Sequence, residues 1–202
     1  AKHRVFISTV ASISGKTDIF SLKKFDIVIV DEASQILEPQ IVGILPKCSK
    51  FILIGDHKQL PAIVLQDPES SKTNNELLES IGLLNRKNSL FERLYTYCEK
   101  NKFDFAYDKL TYQGRMHREV ALFPNHSFYQ SELKEAFDIP NLPIKTKEGL
   151  KRQIRPLSLS SPTKNDLTDL LARKRLIFFQ SKEDKSNHFG KKNIQEADLV
   201  VR

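Results

Sequence analysis

In the stretch FDIVIVDEASQ, four consecutive β-branched residues, Ile27, Val28, Ile29 and Val30, lead straight into two acids, Asp31 and Glu32. An unbroken apolar run of this kind is what a parallel strand covered on both faces requires, because alternation would leave polar side chains in a core. A second run, Phe51-Ile52-Leu53-Ile54, ends in Gly55-Asp56. Between them, SQILEPQIVGIL sets Ile36, Leu37, Ile41, Ile44 and Leu45 at helical spacing, with Pro39 near the start of the stripe. Strand, helix, strand is a βαβ unit, and the ligand site of such a unit lies beyond the carboxyl ends of its strands. Both acidic turns therefore face one edge of an α/β fold whose parallel sheet is flanked by helices.

The rest of the chain extends the same pattern. Residues 4–10, RVFISTV, read as a strand. NSLFERLYTYCEK predicts an amphipathic helix with Leu90, Phe91, Leu94 and Tyr97 inward and Asn88 or Ser89 as its cap. A new unit starts near Phe103, so the expected division is 1–102 and 103–202. There, DKLTYQGRMHREVALFPNHSFYQ combines a short strand, a glycine turn and a helix from about Arg118, interrupted by Pro124. Residues 139–168, rich in proline, lysine and arginine, read as an exposed basic insertion. KRLIFFQ, residues 174–180, predicts another buried strand, and NIQEADLVV the helix that follows it.

Charge is uneven. The first hundred of the 202 residues hold 13 Lys/Arg against 12 Asp/Glu and the remainder 19 against 13, so most of the net +7 lies in the second half. A basic surface suits a polyanion such as nucleic acid, and equally a solvated face. Cys48 and Cys98 are far apart and without a C-x-x-C pairing, and the five histidines show no metal-ligand spacing. With no membrane-length apolar run and no signal pattern, the expectation is a soluble intracellular chain, cytoplasmic or nucleoid/nuclear.

Asp31 and Glu32 have the Walker B arrangement. A divalent ion bridging phosphates needs an anchored carboxylate, and a hydrolytic water needs an adjacent base, so one strand end can supply both. Asp31 then holds Mg²⁺ through its water shell and Glu32 orients and deprotonates the water. The same pair is also what a helix N-terminus attracts through its dipole. LIGDHKQLPA adds Asp56 and Gln59 at the neighbouring strand end, where an amide can report the presence of a γ-phosphate. Gly15-Lys16-Thr17 in SISGKTDIF matches the end of a phosphate-binding loop, but Val10 stands where that loop needs its first glycine, so it is set aside.

The order and spacing of IVDEASQ, LIGDHKQLPA, SLFERL and YQGRMHREV resemble the superfamily 1 helicases, in the 1B branch that includes the nonsense-mediated-decay helicase and the replication nuclease-helicase. The resemblance runs from VFISTV to the closing KKNIQEADLVV. It implies parts of two RecA-like P-loop NTPase domains, ATP and Mg²⁺ as cofactors, and movement along single strands, 5′ to 3′, with duplex unwinding. Asp31 and Glu32 match motif II, Gln59 belongs to motif III and Arg115 matches the motif IV arginine. By itself Arg115 reads as a surface residue. Catalysis would fall to Glu32, Gln59 and Arg115, and nucleotide contact to Asp31, Gln59 and Arg115. Ser8 and Thr9, with His57 and Lys58, would touch single-stranded nucleic acid, DNA favoured over RNA, and Lys145, Lys147, Lys151, Arg152 and Arg155 would add nonspecific affinity. Gly114 departs from the aromatic residue that family members often place there for adenine stacking, a role Tyr112 or another residue could take. Neither a phosphate loop nor the last motifs are found, so a fragment is expected, inactive by itself. Two other readings are a nucleic-acid-binding scaffold with an inactive ATPase core and an unrelated P-loop phosphotransferase.

Overall fold

The computed structural model describes residues 3–67, 69–157, 166–180 and 197–198. They fall into two compact units, Ala1–Lys109 and Leu110–Arg202.

The first unit opens with two short helices, α1 (Val10–Ser14) and α2 (Ile19–Leu22), followed by β1 (Phe25–Val30), α3 (Glu38–Ile41), β2 (Cys48–Leu53), α4 (Glu76–Ser80) and α5 (Leu90–Lys100). The β-branched run does form β1, and it pairs in parallel with β2, placing Ile29 beside Ile52 and Val30 beside Leu53. Packing is one-sided, however. Val30, Ala33, Ile41, Leu45 and Leu90 make the core, with Val28, Ile36, Leu53, Phe91 and Leu94 against it. On the opposite face Ile27, Ile29 and Ile52 stay about half-exposed. Among the described residues the sheet has two strands and one covered face, not two.

The crossover is not the single helix its stripe predicts. Its residues form a 3₁₀ turn at Ala33–Gln35, the four-residue α3 and a second 3₁₀ turn at Leu45–Lys47. Pro46 cannot donate to a continuing helix and Gly43 weakens one, so the segment breaks into turns. Its apolar side chains reach the core all the same, with Ile41, Ile44 and Leu45 buried. Glu38 fixes the turns to α5, because Arg93 donates to both of its carboxylate oxygens at 2.8 and 2.6 Å and to the Ile81 carbonyl at 2.8 Å. The pair is nearly buried and bidentate, a geometry that holds two elements in one register.

α5 forms as its pattern predicts. Ser89 is the cap, accepting from the Glu92 N–H at 3.1 Å, and Leu90, Phe91 and Leu94 turn inward while Tyr97 is exposed. Residues 4–10 do not form the expected strand. Val5 and Ile7 are exposed, and Thr9 instead caps α1 by accepting from Ser12 N–H at 3.2 Å. Strand propensity depends on neighbours to pair with, and this run has none among the described residues.

The second unit repeats the strand–helix–strand logic on a smaller scale. β3 (Tyr112–Gln113) runs parallel to β4 (Lys134–Glu135), with α6 (Arg118–Phe128) between them in sequence. α6 continues through Pro124 rather than stopping there, losing only the bond that a proline cannot donate. Asn125 ties its end to β4, accepting from and donating to the Leu133 backbone at 2.9 Å each. α7 (Ile144–Leu150) and α8 (Asp166–Arg173) follow.

Two further expectations change here. The basic insertion is not simply an exposed loop, since α7 and the 3₁₀ turn Lys151–Gln153 are ordered and Gln153 is fully buried. Residues 174–180 have no strand partner among the described residues, and Phe178 is 89% exposed, so the buried strand is not seen. Of the closing helix only Ala197 and Asp198 are described, and they are helical. The rest of that expectation lies outside the described residues.

Candidate active site

The backbone leaving β1 turns sharply. Glu32 lies in the left-handed region at φ 52°, ψ 35°, a conformation that costs a side-chain-bearing residue about 1–2 kcal/mol. Three bonds hold it there. The Asp31 Oδ1 accepts from the Glu32 N–H at 3.0 Å, the Ala33 N–H donates to the Ile54 carbonyl at 2.7 Å, and the Gln35 N–H donates to the Glu32 carbonyl at 2.9 Å. The bond to Ile54 ties the acidic turn to the end of β2. Gln35 also donates its side-chain amide to Glu32 Oε2 at 3.1 Å, and Oε1 has no bond among the described residues. Backbone strain concentrated on an exposed carboxylate is the kind of outlier that functional sites carry.

Ser34, which sequence reasoning missed, locks the two turns together. It is buried, and its Oγ accepts from the Asp56 N–H at 3.1 Å. A Cβ added at Gly55 would stand 2.8 Å from the Ser34 nitrogen and 3.1 Å from its Oγ, so glycine is required for this approach. The available signal was the pairing of small residues, Ala33-Ser34 after one strand and Gly55 after the other. Gly55→Ala is expected to force the turns apart at a cost of about 1–3 kcal/mol, measurable as a lowered apparent melting temperature.

Asp56 organises the second turn. Its Oδ1 accepts from the Lys58 N–H at 2.9 Å and its Oδ2 from the Gln59 side chain at 3.0 Å. Gln59 is thus on the same edge as Asp31 and Glu32, with its amide held by a carboxylate. His57 packs on Tyr95 at 4.9 Å and Phe91 at 6.4 Å between ring centroids, leaving Lys58 outward and exposed. Burial pushes the Tyr95 phenol pKa up from its ordinary value, reinforced by its bond to Glu99.

Ser8 and Thr9 are exposed, but the Ser8 hydroxyl donates to the Thr9 carbonyl and the Thr9 oxygen caps α1. They stand before a helix rather than at a strand end. Gly15 closes α1 at its carboxyl end with φ −84°. From there Gly15-Lys16-Thr17 runs into the four-residue α2, whose N-cap is Asp18, an acid that would repel a phosphate at that helix end.

In the second unit Arg115 is exposed on the turn after β3. Gln113 shapes that turn by accepting from the N–H groups of Arg115 and Met116 at 3.0 and 2.8 Å. The Arg115 guanidinium makes no hydrogen bond among the described residues. His117 caps α6, with Nδ1 accepting from Glu119 N–H at 3.2 Å and Nε2–H directed at the Arg155 carbonyl at 3.1 Å. A Cβ at Gly114 would meet Leu150 at 3.6 Å and Ala136 at 4.0 Å, ordinary contacts that a whole aromatic ring would exceed. Tyr112 is partly exposed nearby in sequence, with the Lys134 ammonium 5.9 Å from its ring.

Among the described residues no group of three or more His, Cys, Asp or Glu side chains is gathered to hold a metal, and no helix is long and apolar enough to cross a membrane.

Comparison with known proteins identifies the family. Two family models, each described as an AAA domain, match residues 1–67 and 86–202. The DNA replication ATP-dependent helicase/nuclease of Saccharomyces cerevisiae is 32% identical over 195 residues, covering 89% of this chain and 11% of that protein. Its Gallus gallus counterpart is 31% identical over 175 residues, covering 77% and 17%. A Methanocaldococcus jannaschii protein named as an uncharacterized ATP-dependent helicase is 35% identical over 121 residues, covering 60% and 15%. The chain spans less than a fifth of the length of these relatives. With an AAA-domain match across more than half of its residues and relatives named as ATP-dependent helicases, the chain belongs to the superfamily 1 helicases, whose AAA domains imply a P-loop NTPase fold.

Proposed function

We propose that this chain carries the water-activating and phosphate-sensing part of an ATP-driven motor that moves along single-stranded nucleic acid and unwinds duplex. The observation behind this reading is the joining of two acidic turns at one edge of a parallel strand pair, with Glu32 held in a left-handed conformation and Ser34 bonded across to Asp56. Residues 1–102 and 103–202 are taken as parts of two RecA-like domains.

The residues fit Mg²⁺ of the kind that keeps most of its waters. Asp31 offers hard oxygen donors at an exposed strand end, and no crowded protein cage surrounds it among the described residues. When bound, the ion would neutralise charge between β- and γ-phosphates. Asp31 would hold it through water. Glu32 would take the proton of the attacking water on Oε1, the oxygen not bonded to Gln35. Gln59 would leave Asp56 for the γ-phosphate, which gives the second turn a way to differ between nucleotide states. Arg115 would place its guanidinium on the same phosphate and neutralise charge there during transfer.

Single strands would be held largely through phosphates, with Ser8, Thr9, His57 and Lys58 as contacts and the lysines and arginines of residues 145–155 adding charge. DNA is the favoured substrate and 5′ to 3′ the favoured direction. The test is ATP hydrolysis by the full-length protein with and without single-stranded DNA or RNA. Stimulation that falls steeply with salt is expected, while residues 1–202 alone should hydrolyse none. Strand binding without hydrolysis would instead favour a scaffold with an inactive core.

A further inference from the structure

The segment that reads as a basic insertion does more than carry charge. Gln153 has no exposed surface, although it is polar and lies in a stretch otherwise rich in lysine and arginine. Its amide nitrogen donates to the Gln113 carbonyl at 2.7 Å and to the Met116 carbonyl at 3.3 Å, and its Oε1 accepts from the Phe137 N–H at 3.0 Å. The adjacent Arg152 donates to the Gly114 carbonyl at 2.9 Å. Thus the carbonyls at 113, 114 and 116, on both sides of Arg115, accept bonds from two consecutive side chains nearly forty residues further along the chain.

A buried amide with both ends satisfied is costly to disturb, because any group left behind loses its partner in a low-dielectric site. Gln113 shapes the same turn from within, through the Arg115 and Met116 N–H groups. Gln113 also donates its side-chain amide to the Met116 carbonyl at 3.0 Å, so that carbonyl is shared with Gln153, while the carbonyls at 113 and 114 are held by Gln153 and Arg152. Peptide rotation at Arg115 would break bonds on both sides. Phe137, which follows β4, is tied into the same arrangement, so Gln153 joins the arginine turn to the neighbouring strand end.

We propose that Gln153, assisted by Arg152, is a positioning residue that fixes the backbone of Arg115 so that its guanidinium is aimed before nucleotide arrives. This rests on the reading of Arg115 as the arginine that meets the γ-phosphate. Positioning of this kind acts on turnover more than on binding, and a displacement of about 1 Å can reduce rate on the order of 10²-fold.

The experiment is a double-mutant cycle on single-strand-stimulated ATP turnover by the full-length protein, with Arg115→Ala, Gln153→Glu and their combination. Gln153→Glu keeps the length and the acceptor for Phe137 but removes both donations to the turn. It is expected to lower kcat about 10- to 10²-fold with KM for ATP unchanged, and to cause no further loss once Arg115 is alanine. Arg152→Ala, at an exposed side chain, should give a smaller loss of kcat with the same non-additivity, and it completes the cycle if Gln153→Glu does not accumulate folded. Losses that multiply with that of Arg115→Ala, or that appear in KM alone, overturn the positioning role. Wild-type turnover by Arg115→Ala itself overturns the reading of Arg115 and with it the proposal.

Discussion

Glu32→Gln is expected to lower nucleic-acid-stimulated ATP turnover by the full-length protein about 10²- to 10⁴-fold, the range that a positioned general base contributes, while leaving nucleotide binding near its original affinity. The amide matches the carboxylate in shape and can still accept the bond that Gln35 donates to Oε2. The left-handed turn is held by the Ala33–Ile54, Gln35–Glu32 and Asp31–Glu32 bonds, none of which involves the Glu32 side chain. Neither set depends on charge at the Glu32 side chain, so the apparent melting temperature should hardly change. Proton acceptance is what is removed. Direct measurement of ATP binding beside turnover separates the outcomes: binding retained with turnover lost supports Glu32 as the base, whereas wild-type turnover by the variant assigns that role elsewhere.

The parts of this site legible in the sequence are those that depend on local chemistry. A β-branched run followed by acids predicts β1 and Asp31-Glu32 because strand propensity and patterning agree over adjacent residues. The serine cap and apolar spacing of α5 are equally local. The failures share a different cause. SQILEPQIVGIL has a helical stripe, yet Pro46 and Gly43 break the backbone while tertiary contacts still collect the same side chains. RVFISTV and KRLIFFQ have strand composition, but a strand exists only with a ladder, and composition says nothing about whether one is present. Ser34 and Gln153 are invisible for a third reason. Each acts by bonding to backbone groups 22 and up to 40 residues distant, a relation that no spacing rule encodes.

That distance also explains why the arginine turn reads as unremarkable surface. Arg115 is exposed, and the features that set it apart belong to its backbone and to a segment whose composition suggests a solvated loop. Leu150 lies over Gly114 from the same segment. A Cβ at position 114 would already stand in van der Waals contact with it at 3.6 Å, so α7 borders the space beside this glycine.

Arg115→Ala should produce the largest loss, about 10³- to 10⁵-fold in kcat, the range measured where an arginine neutralises charge on a transferring phosphoryl group. The variant should fold. The Arg115 N–H is bonded to Gln113 and the flanking carbonyls to Arg152 and Gln153, none of which involves the guanidinium. Arg115→Lys should recover little, because an ammonium keeps the charge but not the planar fork that reaches two phosphate oxygens. The accompanying readout is the effect of nucleotide on single-strand affinity. If Arg115 meets the γ-phosphate, its loss should make strand affinity nearly the same with ATP as with ADP, because the coupling between nucleotide and strand passes through that contact. Turnover within tenfold of wild type would remove Arg115 from the phosphate. A large loss of turnover with the nucleotide-dependent affinity change intact would leave it there as a stabiliser of charge alone, and would assign the coupling contact to Gln59, whose amide rests on Asp56 after β2.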